Sequence, residues 1–441
     1  MKNSIIVAPA TALGGAIAVI RTSGEGSVAL CDRIFKGRKP LMDAKSHTIH
    51  YGTICDGERV VDDVVVAVFR APHSYTGEES VEISIHGSCY IAQEIIRLLC
   101  NEGACMAEAG EFSQRALAAG RIDLSQAEAV ADLIAAESRA AHAVAATQMR
   151  GGYSEMLEEL REELLSVTTL LELELDFSEE DIEFADRARL QSMLEKTDGV
   201  VQRLMESFRV GNAIREGVAV AIVGRPNVGK STLLNRLVGD DRAMVSDIAG
   251  TTRDTIEESV VIDDIRFRFV DTAGLHDTND RLEKMGIERT ERAIRQAQVV
   301  LYMTEPSQTA VELPTLAEGQ ILLQVVNKVD TTDKRDREGV IYISARDGEG
   351  IDELRKALRA TIDTEGLYRG EVVVSNMRHF EALSRAHCSL DEALQALQNG
   401  ISEELLAEDI RSAINALAEI TGRITSEDVL KNVFANFCIG K

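Results

Sequence analysis

Tryptophan is absent and aromatic residues make up only 4% of the 441-residue chain, so no extended base-stacking platform is built into it. Basic charge is also short. The 48 Lys and Arg against 73 Asp and Glu leave a net charge of −25, which excludes a broad basic grip on nucleic acid and confines any RNA contact to a local patch or a partner. No apolar run reaches the ~18–20 residues of a membrane-spanning helix, so no membrane association is expected. The seven cysteines are odd in number and lack CxxC spacing, which argues against a disulfide framework or a zinc ribbon and fits a reducing cytoplasm. The apolar stretch 5–20 is interrupted by Pro9, Thr11 and Gly14-Gly15, and reads as strand, loop and strand rather than a signal peptide. What remains is ordinary for folded protein: 45% hydrophobic and 27% charged residues, in a length that suggests roughly two to four domains.

Three textures follow one another. Residues 1–119 mix strands (16–20, 64–69 and 81–85, the last by strict alternation) with short helices such as 91–99, which is an α+β pattern. Residues 120–214 are rich in Ala, Leu and Glu at helical spacing, with long helices expected over 125–149 and 154–176 about Gly151-Gly152. The acidic stretch 179–183 reads as a solvated loop or helix end. Residues 215–370 open on a fully apolar strand at 218–223 and then alternate strand with helix, the signature of a doubly wound α/β domain. Helical spacing resumes over 371–441. The expected architecture is a helical-bundle domain interrupted by an inserted α/β domain, preceded by an α+β domain.

Gly224-Arg225-Pro226-Asn227-Val228-Gly229-Lys230-Ser231 fits GxxxxGK[ST] between a strand and a helix opening at Thr232. Backbone N–H groups of such a loop wrap phosphate oxygens at a helix N-terminus, Lys230 reaches the outer phosphates, and the Ser231 hydroxyl binds Mg²⁺. Asp271-Thr272-Ala273-Gly274 ends a strand at 266–270 and brings an acid near Mg²⁺, with a glycine for the γ-phosphate. Asn327-Lys328-Val329-Asp330 follows a strand at 321–326; the Asp330 carboxylate can accept from guanine N1–H and the 2-amino group, donors that adenine lacks. Ser344-Ala345-Arg346 follows a strand at 340–343 and suits a loop whose N–H meets guanine O6. The order and spacing resemble the G-domain of translation-factor-class GTPases, a P-loop GTPase fold. Thr251-Thr252-Arg253-Asp254 falls where switch I belongs, and Thr252 is preferred over Thr251 as the Mg²⁺ ligand of the triphosphate state.

The residue after the second motif is Leu275, where many small GTPases carry a water-orienting glutamine. Spacing admits Asp277, Asp280, Glu283 and Glu288 as acids that could serve instead. Asn227 offers a carbonyl oxygen to a monovalent cation that would neutralise transition-state charge.

Gly-Thr-Thr-Arg-Asp at 250–254, Asp-Thr-Ala-Gly-Leu at 271–275, Ser-Tyr-Thr-Gly-Glu at 74–78, Gly-Glu-Phe-Ser-Gln-Arg-Ala at 110–116 and the terminal Phe-Cys-Ile-Gly-Lys at 437–441 together resemble the tRNA modification GTPase family MnmE, also called TrmE. The resemblance runs over essentially the full length. It implies an N-terminal folate-binding and dimerising domain, and K⁺-dependent GTP hydrolysis coupled to modification of the tRNA wobble uridine at C5. The implied partners are tRNA, a second copy in a homodimer, and the FAD- and NADH-dependent flavoprotein MnmG; the implied one-carbon donor is 5-formyltetrahydrofolate or another tetrahydrofolate. Carried over by motif, the nucleotide contacts include Val228, Gly229 and the loop Ser246, Asp247, Ile248, Ala249, Gly250, Thr251 and Thr252. The K⁺ ligands fall on Asn227, Ser246, Ile248 and Thr251, leaving Thr252 for Mg²⁺. Glu283 falls on the catalytic glutamate, and the folate positions on Arg21, Glu82, Arg121 and Lys441. Departures are His276, Arg121 and Arg346, where arginine, lysine and lysine are common in the family; Arg121 keeps charge but not geometry. Cys438 lies near the expected folate site and is a candidate for the chemistry. The apolar stretch 433–437 should dock the tail that carries it. The competing class is a GTP-switched ribosome-assembly factor with no chemistry of its own.

Overall fold

The computed structural model describes residues 4–176, 187–239, 258–270, 283–307, 313–331, 338–364, 371–435, 437 and 440. Its contacts divide into two compact units, residues 1–131 with 417–441, and residues 132–416.

In the first unit seven strands form one sheet. They are β1 (Ile6–Pro9), β2 (Ile17–Ser23), β3 (Phe35–Gly37), β4 (Thr48–Asp56), β5 (Arg59–Phe69), β6 (Ser80–His86) and β7 (Cys105–Met106), in the order β3-β4-β5-β6-β2-β1-β7. Neighbours are antiparallel except β1 and β7. The alternation expected for 81–85 is realised: Val81, Ile83 and Ile85 are buried with Ile20, Val66 and Val68 beneath the helices Ser27–Ile34 and Cys89–Asn101. Each such side chain contributes about 1.5–3 kcal/mol by leaving water. Period two puts Glu82 on the opposite face, beside Arg21 of β2. Among the described residues that face stays uncovered elsewhere, with Ile17, Ile49 and Tyr51 at 69%, 72% and 70% exposure.

The chain end belongs to this unit. The helix Glu427–Ala435 buries Phe434, and Phe437 follows it into a cluster with Leu124 and Ala127. The apolar residues near the end therefore dock, as their composition implies. Gly110, opening the helix Glu111–Ala118, has φ 69, and a Cβ there would lie 2.9 Å from the Phe434 ring and 3.0 Å from Phe437 Cβ.

In the second unit a six-stranded sheet holds β8 (Val218–Gly224), β9 (Glu258–Ile262), β10 (Ile265–Phe269), β11 (Val299–Thr304), β12 (Ile321–Val326) and β13 (Ile341–Tyr342), ordered β13-β12-β11-β8-β10-β9. All pairs are parallel except the β9–β10 hairpin. The apolar run of β8 sits inside this sheet, as both-face burial requires. The helices Arg187–Glu216 and Met377–Gln398 pack together on either side of it in sequence; Phe208 stacks on Phe380 at 4.6 Å, and His387 Nδ1 meets Asp198 Oδ1 at 2.6 Å. A helical segment interrupted by an inserted P-loop α/β fold is thus realised.

One expected helix is two. Residues 125–149 divide into Leu124–Ala135 and Arg139–Met149, because the Ser138 hydroxyl accepts from the Ala141 N–H and starts a new helix there. Residues 179–183 lie outside the described residues.

Replacing Gly110 by Ala places a Cβ against both phenylalanines at a left-handed backbone position. We expect a loss of about 2–4 kcal/mol and easier proteolysis of the C-terminal helix. Unchanged melting and cleavage would show that the helix does not depend on this contact.

Candidate nucleotide site

The nucleotide loop leaves β8 at Gly224 and enters the helix Lys230–Gly239, whose N-terminal N–H groups face outward from the carboxyl end of the sheet. Gly229 has φ 101, and a Cβ there would lie 2.2 Å from Asn327 Nδ2, so only glycine admits the close approach of the two segments. That approach is bonded. Asn327, 3% exposed, donates through Nδ2 to the Val228 carbonyl at 2.8 Å and accepts at Oδ1 from the Ala345 N–H at 2.9 Å. Lys328 Nζ donates to the Asn227 carbonyl at 2.9 Å and to Glu305 Oε1. One dipeptide therefore holds the phosphate loop, and its first residue also holds the Ser344-Ala345-Arg346 loop.

Lys230 Nζ donates to the carbonyls of Gly224 at 2.9 Å and Arg225 at 3.0 Å, folding back over its own loop. Burial lowers the Lys230 pKa, since a half-enclosed ammonium has lost water without gaining an anion among the described residues. A phosphate oxygen would supply that anion, and the Ser231 hydroxyl, partly buried in the first helical turn, is the oxygen donor a Mg²⁺ ion prefers. Thr232 beside it is exposed. Asp330 is exposed, in the short 3₁₀ turn Val329–Thr331. The Val329 N–H donates to Ile343 at 3.2 Å and fixes that turn beside β13. Ser344 is buried, while Arg346 points into solvent within 3.8 Å of Asp347.

The structure thus brings together Asn227, Val228, Gly229, Lys230, Ser231, Asn327, Lys328, Asp330 and Ala345. Ser246, Asp247, Ile248, Ala249, Gly250, Thr251, Thr252, Asp271, Thr272, Ala273 and Gly274 lie outside the described residues. So do Asp277 and Asp280. Glu283 opens the helix Glu283–Gln296, but its side chain and that of Glu288 are outside them too. Glu305 was absent from the motifs; its place just after a parallel strand, at the edge where such sheets bind ligands, is the signal that could have found it.

The second cluster lies in the first unit. Arg21 donates from Nε to Glu82 Oε1 at 2.9 Å, and its guanidinium carbon lies 5.7 Å from the Tyr75 ring and 5.8 Å from the Phe112 ring. It also reaches the Gly440 carbonyl at 3.4 Å. Around it the motifs at 74–78 and 110–116 meet. Tyr75 Oη pairs with Ser113 Oγ at 2.9 Å, and Arg115 bridges to Glu78 at 3.1 Å. Arg121 is exposed, its stem beside Gly77. Cys438 and Lys441 lie outside the described residues. Tyr75 and Phe112 were not singled out by the sequence, which does not show which rings a guanidinium will cover.

A phosphate loop gripped by Asn-Lys of a guanine-type motif, on a parallel sheet with one antiparallel edge, defines a P-loop GTPase. A model described as "GTP-binding protein TrmE N-terminus" matches residues 5–121, and one described as "MnmE helical domain" matches residues 124–438. Proteins called tRNA modification GTPase MnmE are similar throughout: that of Bacteroides thetaiotaomicron is 46% identical over 465 residues, covering 100% of both chains. That of Christiangramia forsetii is 46% identical over 471 residues, covering 100% of this chain and 99% of its own. The FeoB G-domain from Methanococcus jannaschii is a solved structure 23% identical over 33% of this chain and 96% of its own, with a TM-score of 0.24. The chain belongs to the MnmE (TrmE) family of tRNA modification GTPases.

Proposed function

We infer that this chain is a K⁺-stimulated GTP hydrolase which, together with a flavoprotein of the MnmG kind, modifies C5 of the wobble uridine of certain tRNAs using a tetrahydrofolate one-carbon donor. GTP hydrolysis in tRNA modification follows from family membership. Among the described residues no helix is long and apolar enough to cross a membrane. The observation that carries the nucleotide reading is the pair of hydrogen bonds made by the Asn327 carboxamide, which tie the phosphate loop to the 344–346 loop. The homodimer is supported by the uncovered sheet face bearing Ile17, Ile49 and Tyr51.

The residues take these roles. Backbone N–H groups of Asn227, Val228 and Gly229 and the ammonium of Lys230 bind phosphate; Ser231 and Thr252 would hold a Mg²⁺ ion, which would supply positive charge beside the phosphates. Asn227, at φ 62, with Ser246, Ile248 and Thr251 would hold K⁺. Glu283 orients water. Arg21, Glu82, Arg121 and Lys441 would bind folate: the guanidinium groups face carboxylates and Glu82 faces pterin N–H groups. In the structure Arg21 and Glu82 hold one another, so the pair is pre-placed for a ligand that offers both partners.

Asp330→Asn swaps an acceptor for a donor against guanine and should weaken GTP by roughly 2–4 kcal/mol while favouring xanthosine triphosphate. Unchanged GTP affinity in a titration removes Asp330 from base recognition. Turnover should be faster in KCl than in NaCl at equal ionic strength, and Asn227→Ala should erase the difference; equal rates for the unaltered protein would discard the cation. Deleting residues 436–441 should spare GTP turnover and abolish wobble-uridine modification, read by mass spectrometry of tRNA nucleosides from a complemented deletion strain. Restored modification would place the tail outside the active site.

A further inference from the structure

Glu305 belongs to none of the nucleotide motifs, yet it is joined to two of them. It directly follows β11, and its Oε1 accepts from Lys328 Nζ. The same ammonium donates to the Asn227 carbonyl of the phosphate loop at 2.9 Å. Consecutive loop carbonyls, at 227 and 228, are thus held by consecutive residues, 328 and 327. The two grips differ in stiffness. Asn327 is short and buried, whereas Lys328 works through a flexible four-carbon stem whose side chain is 41% exposed. Such a stem needs a second anchor to keep its ammonium on one carbonyl, and the end of a central parallel strand is a rigid place for it. With Glu305 itself 30% exposed, the ion pair contributes little to overall stability. Its effect lies in direction.

We propose that Glu305 is a positioning residue of the guanine-nucleotide site: it holds Lys328 on the Asn227 carbonyl and so keeps the phosphate loop in the shape that retains nucleotide. This rests on the nucleotide reading above. Charge alone gives the opposite sign, because removing a carboxylate near bound phosphates relieves repulsion and slows nucleotide release. Loss of an anchor speeds it.

The test is release of N-methylanthraniloyl-GDP from the full chain, chased with unlabelled GDP in a stopped-flow fluorimeter. Glu305→Ala should release about fivefold faster, the worth of one modest hydrogen bond. Glu305→Gln keeps an acceptor at the same reach and should stay within about twofold of the unaltered protein. In a Lys328→Met background, Glu305→Ala should add nothing, since the residue acts through that lysine. Unchanged or slower release in Glu305→Ala overturns the proposal. So does a Gln variant as fast as the Ala variant, or an undiminished effect in the Lys328→Met background. Failure of the unaltered protein to bind the fluorescent GDP at all would instead bring down the nucleotide reading, and this proposal with it.

Discussion

The carboxamide of Asn327 is the constraint on which the second unit's chemistry turns. Three segments far apart in sequence, at 227–229, 327–328 and 344–346, must converge at the carboxyl edge of one sheet, and a single buried side chain supplies a donor to one and an acceptor to another. An amide is suited to this because it offers both polarities in one plane. The geometry also explains residues that carry no chemistry. Gly229 is small because the amide occupies the space of its missing Cβ, and β12 ends at Val326 so that the next residue can turn inward.

Much of this was legible in the sequence, and for identifiable reasons. The β8 run is apolar on both faces because both are covered, and Glu82 alternates with Val81 and Ile83 because its sheet has one covered face. The phosphate loop and the Asn-Lys motif were readable since each follows a strand at the right spacing. The break at Ser138 was not, because the helical spacing of apolar residues runs on through it while the deciding bond is one hydroxyl to one N–H. Glu305 was not, because an acid after a strand is common and only the fold shows which lysine faces it. Gly110 stood inside a recognisable motif, but its reason lies more than 300 residues away, in the phenylalanines that pass over it.

The first unit shows how a charged pair can be held ready by the fold itself. Arg21 and Glu82 are direct neighbours across β2 and β6, so their pairing is set by strand register rather than by side-chain search. The rings of Tyr75 and Phe112 flank the guanidinium and limit where it can swing. Breaking such a pair with one ionic ligand group leaves the other member unmatched; a ligand with an anionic part and a donor-rich part matches both.

The bond from Arg21 to Gly440 spans 419 residues, nearly the whole chain. During synthesis the seven-stranded sheet emerges first, but the phenylalanines that cover Gly110 follow more than 300 residues later. At about 5–20 residues per second this leaves the sheet waiting roughly 15–65 s for those phenylalanines, while the inserted α/β segment is made in between. A chain stopped before Phe434 holds the nucleotide loops and lacks the contact that closes over Gly110.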